Sequence, residues 1–323
     1  MKKKSIIVAV DGTGGDSRST QGIVGAALFA LTLYPNLKLI IFGTDKLETD
    51  LKKANLPGNR WEFRSAPLII PQDETPRNVL EGYTNAAMRQ AVECVRNKEA
   101  DAVVSSGGTG PLVTLSRHIL GTVGRIRPAL CAKMPSGPGR FSLMLDLGAN
   151  SSCHSSDLYD FALLGRAAAK ISLNIEEPRI SVLNVGSEQG KGNAIVREAR
   201  DLIKNNKNLY CEGFIEANRI FTGDTDVIVT DGFTGNVALK AAEGVARIFG
   251  HGSGLRRFFA RLARPEWLMP WQYNGSLLLG VKGVVVKGHA SAAEQSVAVA
   301  MVEAARAAQI NLAAEIEEEL GRY

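Results

Sequence analysis

A lysine between two glycines, in "SEQGKGN" at residues 187–193, and an aspartate directly behind an apolar run, in "TDVIVTDGFTGN" at 225–236, are placed to do charge chemistry. A lysine so flanked does not belong to the solvated face of a helix, and its ammonium suits an anion. The bland readings stand beside this one: Lys191 as an exposed surface lysine, Asp231 as a turn or helix N-cap residue. A third stretch, "SSGGTGPL" at 105–112, follows the apolar run "ADAVV". Glycines there let backbone N–H groups approach an anion without a Cβ in the way, and a following helix adds its positive end. Ser105, Ser106 and Thr109 add hydroxyls, and Pro111 suits the first turn of that helix. Chemically, such a loop cradles a phosphate or an oxyanion.

The elements that must carry these residues are legible from apolar patterning. Six branched-apolar runs each end in small and polar residues: "SIIVAVDGTGGD", "ADAVVSSGGTG", "SLMLDLGAN", "ISVLNVGSEQGKGN", "TDVIVTDGFTGN" and "KGVVVKGHAS". Helix-like stretches such as "PRNVLEGYTNAAMRQAVECVRN", "DLYDFALLGRAAAKI" and "NVALKAAEGVARIF" lie between them. Alternation of this kind builds a mostly parallel sheet covered by helices, with ligands bound beyond the carboxyl ends of the strands. The six loops belong to that edge, which adds Asp11, Gly12, Gly14, Gly15, Asp16, Gly107, Gly108, Gly110, Asp146, Asn150, Asn193, Asn236 and His289 to the candidates.

Other chemistries are excluded or weak. A GxGxxG frame opening at Gly12 fails at Ser17, and no GxxxxGK[ST] run occurs. Cys153 and His154 are chain neighbours and make a poor dyad. His118 and His251 read as structural. The four cysteines lack metal-ligand spacing, so neither zinc nor a disulfide framework is expected. No cofactor is expected, and no nucleic-acid motif is present. With 45% hydrophobic and 22% charged residues and a net charge of +5, the 323-residue chain reads as one globular α/β domain that favours an anionic substrate. The opening "MKKKSIIVAVDG" reads as a first strand rather than a signal peptide, and no uncharged apolar run reaches membrane-spanning length, so a cytoplasmic location is expected. Within the domain, residues 250–273 place Leu255, Phe258, Phe259 and Leu262 at helical spacing against Arg256, Arg257, Arg261 and Arg264. Such a segment suits either an anionic membrane surface or a second subunit.

Taken in order, "DGTGGD", "SSGGTGPL", "RPAL", "MLDLGAN", "EEPRISVLNVGSE", "KGNAIVREA", "DVIVTDGFTGNVALKAAEGVA" and "YNGSLLLGVKGVVVKGHASA" resemble the phosphate acyltransferases across nearly the whole chain. The resemblance implies a three-layer α/β/α fold of the isocitrate dehydrogenase-like and phosphotransacetylase-like class. It implies a homodimeric enzyme of phospholipid biosynthesis that makes acyl phosphate from acyl carrier protein thioester and orthophosphate, peripheral to the inner membrane. Lys191 matches the family's active lysine, Asp231 the aspartate proposed to act with it, and pairing of the two is the favoured arrangement. His289 matches a histidine of the family's Lys-Ser-His-Gly-Ser run. Departures are also plain: Glu81, Gly82, Tyr83 and Thr84 stand where the family carries basic residues, Ala86 and Ala87 where it carries serines. Gly108 replaces an asparagine, Thr13 a methionine, Ser17 a histidine, and Gly288 and Ala290 alter the Lys-Ser-His-Gly-Ser run. These departures keep two alternatives open, a transacylase using acyl-CoA or another thioester, and a catalytically weak scaffold for carrier protein and membrane.

Overall fold

All six branched-apolar runs form strands in the computed structural model, which describes residues 5–15, 20–250, 275–289 and 294–321. They are β1 (Ile6–Asp11), β4 (Ala102–Ser105), β6 (Arg140–Leu145), β7 (Arg179–Asn184), β9 (Val227–Val229) and β11 (Val284–Lys287). Five further strands are β2 (Leu37–Gly43), β3 (Trp61–Ser65), β5 (Ala129–Gly137), β8 (Tyr210–Glu216) and β10 (Ser276–Leu279). The chain, read from its sequence as one domain, gathers into two compact units, Met1–Pro128 with Asn274–Tyr323, and Ala129–Tyr273.

In the first unit the strand order is β3-β2-β1-β4-β11-β10, parallel throughout except for β10 against β11. All four residues of β4 are buried, as expected of a central strand covered on both faces. Helix α1 (Thr20–Leu33) packs its buried Ala26, Ala27 and Ala30 near α9 (Glu294–Gln309), whose Ala300, Ala304, Ala307 and Ala308 are also buried. Small side chains let the two axes approach closely. Helix α2 (Asp45–Lys53) is capped by Thr44, and α10 (Leu312–Gly321) closes the chain.

One helix expected from the sequence is two. The stretch at 76–97 divides into α3 (Pro76–Glu81) and α4 (Ala87–Arg96). Tyr83 takes φ 51°, which a continuous right-handed helix cannot hold. Arg89 Nη1 then fixes the break by donating to Val79, Leu80 and Gly82 carbonyls at 3.2, 3.1 and 3.2 Å. Of the altered stretch, Glu81 ends α3, residues 82–86 make the turn and Ala87 opens α4, with Ala86 at its N-cap making no side-chain cap.

In the second unit the order is β5-β6-β9-β7-β8, with β5 antiparallel to β6 and the rest parallel. Helices α6 (Ser155–Leu173), α7 (Ala194–Asn205) and α8 (Gly232–Gly250) follow β6, β7 and β9. The neighbouring starts of β7 and β9 are tied by Arg179, whose backbone N, Nε and Nη2 donate to the Asp226 carboxylate at 2.9, 3.0 and 2.9 Å. The loops that leave the far ends of these strands are consequently side by side. Among the described residues no single helix is long and apolar enough to cross a membrane. The amphipathic segment beyond Gly250 lies outside the described residues.

A pH-dependent weakness is built into α6. Burial, and then the charge of Asp157 one turn earlier, pushes the Asp160 carboxyl up to about 6. The folded state thus holds that proton more tightly than the unfolded chain, so stability falls as pH rises from the ordinary aspartate value toward 6. Asp160→Asn is expected to stabilise the protein by about 1 kcal/mol at pH 8, solvent screening discounted, and to change nothing at pH 3. Urea unfolding at the two pH values checks this.

Candidate functional site

In the first unit, Asp11, Ser105 and Lys287 stand in lateral register at the carboxyl ends of β1, β4 and β11. Asp11 is 2% exposed. Its Oδ1 accepts from Thr13 N at 3.0 Å and Thr13 Oγ1 at 2.8 Å, and its Oδ2 accepts from Ser105 Oγ at 2.6 Å. Ser105 Oγ in turn accepts from Gly107 N at 3.1 Å. A buried carboxylate therefore braces two loops from two strands. The loops meet so closely that a Cβ on Gly14 would lie 2.5 Å from Gly107 N and 2.9 Å from Asp11 Oδ2.

Gly108 then N-caps α5 (Thr109–Leu120), Pro111 is buried in its first turn, and a Cβ on Gly110 would meet nothing within 4 Å. The N–H groups of Thr109 and Gly110 open the helix without intrahelical acceptors. Such a helix end carries the partial positive charge and open N–H groups that favour an anion. Gly12 and Gly15 belong to the adjoining turn, Gly15 at φ 106°, and His289 follows β11, half-buried at the same end. Asp16 lies outside the described residues.

In the second unit a second buried aspartate does comparable work. Asp146 is 0% exposed. Its Oδ1 accepts from the backbone N of Leu130 (2.8 Å), Gly148 (3.2 Å) and Ala149 (3.0 Å). Its Oδ2 accepts from Asn150 N (2.8 Å) and Asn150 Nδ2 (2.9 Å). Burial pushes its carboxyl up from the ordinary range, and these N–H donors oppose that rise. The loop so formed lies against the start of α8, with Asn236 Nδ2 only 3.0 Å from where a Cβ on Gly148 would stand.

Lys191 sits on the loop after β7, exposed, and its backbone holds it there. Its N–H donates to Glu188 O at 3.0 Å, and its carbonyl accepts from Asn184 Nδ2 at 3.1 Å. Gly192 needs its φ of 84°, and a Cβ there would collide with Asn184 Oδ1 at 2.2 Å. The Lys191 stem crosses Gly186, its Cγ 3.1 Å from an ideal Cβ on that glycine. Asn193 N-caps α7, accepting from Val196 N at 2.9 Å.

Asp231 stands two residues beyond β9, the strand next to β7, and directly before α8. The ion pair expected between it and Lys191 is not formed. Asp231 Oδ1 accepts from Thr234 N at 2.9 Å and Oδ2 from Thr234 Oγ1 at 2.7 Å, so the carboxylate caps α8. An acceptor at that position satisfies an otherwise orphaned helix N–H, which is why the N-cap reading holds.

The structure therefore sorts the candidates. Gly107, Gly108, Thr109, Gly110 and Ser106 gather at α5 with Gly12, Gly14 and Gly15, while Asn150, Asn193, Asn236, Lys191 and Asp231 gather at the carboxyl edge of the second unit. Asp11 and Asp146 turn inward and hold loops, and the Ser105 hydroxyl serves Asp11. Sequence reasoning missed Asn184, Thr13 and Thr234. Asp231-x-x-Thr234 does carry the spacing of a helix cap, which was the available signal.

Residues 6–254 match a family described as fatty acid synthesis protein. The chain is 40% identical to a phosphate acyltransferase from Aeromonas salmonicida over 97% of its own length and 96% of that protein's. It belongs to the phosphate acyltransferase family. Another member, from Pseudomonas putida, is 38% identical, with 95% of each chain covered. Two solved structures share the fold of this family member. A phosphotransacetylase from Staphylococcus aureus matches with a TM-score of 0.63 at 18% identity, covering 94% of this chain and 95% of that one. A branched-chain phosphotransacylase from Enterococcus faecalis matches with a TM-score of 0.61 at 16% identity, covering 94% and 99%. The fold class expected from the sequence is thus the observed one.

Proposed function

We propose that this chain transfers the acyl group of an acyl carrier protein thioester to orthophosphate, releasing acyl phosphate and the carrier thiol for phospholipid synthesis. The observation that carries the reading is Lys191, an exposed ammonium in no ion pair with any described residue, on a loop at the strand edge where α6, α7 and α8 begin. Phosphate oxygen attacks the thioester carbonyl, the carbonyl π electrons move to oxygen, and collapse expels the thiolate. Orthophosphate is already anionic near neutral pH and a thiolate with a conjugate-acid pKa of about 8.5 leaves readily, so positioning and charge stabilisation carry the rate. Lys191 neutralises the developing oxyanion and the phosphate charge. Asp231 acts on the reaction by setting the start of α8, whose N–H groups face the same edge.

The reading includes a homodimer that rests peripherally on anionic membrane in the cytoplasm, supported by the composition of residues 250–273. Palmitoyl thioesters of carrier protein and of coenzyme A, each incubated with the purified protein and orthophosphate, test the chemistry when acyl phosphate is trapped by hydroxylamine. Hydroxamate from the carrier thioester is expected. Product from coenzyme A alone would shift the donor, and product from neither would leave a binding scaffold.

A further inference from the structure

Ser106 carries a hydroxyl that bonds to no described residue. The residue is 5% exposed. Its neighbour Ser105 is committed to Asp11 and Gly107, whereas Ser106 Oγ makes no hydrogen bond with any described residue. A buried hydroxyl left unsatisfied costs about 1–3 kcal/mol, so its retention at a strand end points to a ligand.

The surroundings say which ligand. Ser106 lies two residues before Gly108, the N-cap of α5, and its backbone carbon would stand 3.0 Å from a Cβ on Gly14. Across to β11, Oγ lies 2.6 Å from where a Cβ on Gly288 would stand, and Gly288 N donates to Ser105 O at 2.9 Å. The hydroxyl fills space that any side chain at 288 would need. Helix end, free N–H groups and an unpaired O–H together describe a site for a small oxyanion.

We infer that Ser106 is a ligand of the orthophosphate substrate, and that Ser106 and Gly288 are a coupled pair in which one hydroxyl is supplied from β4 with the β11 position kept bare. The inference rests on the proposed transfer to phosphate, which supplies the identity of the anion. Geometry also allows the hydroxyl to change strands. With alanine at 106, the contacts left to a Cβ at 288 are ordinary ones, the Cβ of residue 106 at 3.7 Å and Ser105 O at 3.9 Å.

The test is a double-mutant cycle. Ser106→Ala is expected to raise KM for orthophosphate about 10-fold while leaving KM for the thioester unchanged. Gly288→Ser alone is expected to impair phosphate use at least as much, because its Cβ collides with Ser106 Oγ. Ser106→Ala with Gly288→Ser is expected to recover phosphate KM to within about threefold of the parent. An unchanged phosphate KM in Ser106→Ala, or a double variant no better than either single one, overturns the inference. Phosphate-induced rise in Tm supplies a readout independent of turnover: present in the parent, reduced in Ser106→Ala, restored in the double variant. If the parent forms no acyl phosphate yet this pattern of Tm shifts appears, the transfer reading falls and the ligand site stands. If the parent turns over and Ser106→Ala behaves like it, only the ligand site falls.

Discussion

Lys191→Ala is expected to lower kcat/KM for acyl phosphate formation by about 10²–10³-fold, the range for removing one donor aimed at a developing oxyanion. The size follows from where charge builds. Before attack the phosphate holds all the negative charge, and as the new P–O–C bond forms one unit of it passes to the carbonyl oxygen. An ammonium beside the reacting carbonyl stabilises that arrangement more than it stabilises the separated substrates, so its loss falls on the transition state. The substitution leaves the fold intact because the side chain is exposed and the loop is held by backbone bonds to Glu188 O and Asn184 Nδ2. Hydroxylamine trapping gives the rate and far-UV circular dichroism gives the fold. Lys191→Arg is expected to recover only part of the loss, since a planar guanidinium cannot reproduce a point charge at the same reach. A Lys191→Ala enzyme with full kcat/KM would remove this residue from the reaction.

What could be read from the sequence was decided by whether a residue's role depends on its neighbours in the chain or on its neighbours in space. The strands β1, β4, β6, β7, β9 and β11 were legible because burial on both faces imposes an unbroken apolar run, a purely local pattern. Strands β3, "WEFRS", and β8, "YCEGFIE", mix charged and apolar residues and do not stand out as runs, whereas β2, "LKLIIFG", is buried at six of its seven residues and was missed although its pattern is as plain. The turn at Gly82 and Tyr83 was hidden inside an apparently helical stretch because its fixing contact comes from Arg89. At the site, glycine loops and Lys191 were visible as residue types at a strand edge. The direction each carboxylate faces was not. Asp11 and Asp146 share a sequence context with Asp231, an acid at a strand end before small residues. Only the fold separates two buried braces from an N-cap.

That difference has its largest consequence at Asp146. Asp146→Asn is expected to destabilise the protein by about 3–5 kcal/mol, the range for breaking a buried charged network by altering one partner. The carboxylate accepts five N–H bonds, four of them from the backbones of Leu130, Gly148, Ala149 and Asn150. Asparagine keeps the shape but exchanges one accepting oxygen for an NH₂ donor. Whichever way the amide turns, donors face donors: three backbone N–H groups on the Oδ1 side, or Asn150 N and Nδ2 on the Oδ2 side. Each group stranded in the buried loop costs about 1–3 kcal/mol, and the remaining oxygen has lost the negative charge that strengthened its bonds. Asp231→Asn makes the contrasting case. That amide can still present an oxygen to Thr234 N, because asparagine caps helices about as well as aspartate, so a loss below about 1 kcal/mol is expected there. Guanidinium unfolding of the two variants in parallel measures the difference. Near-equal stabilities would mean that the Asp146 carboxylate does not hold the loop between β6 and α6, and with it the bed on which the first turn of α8 rests.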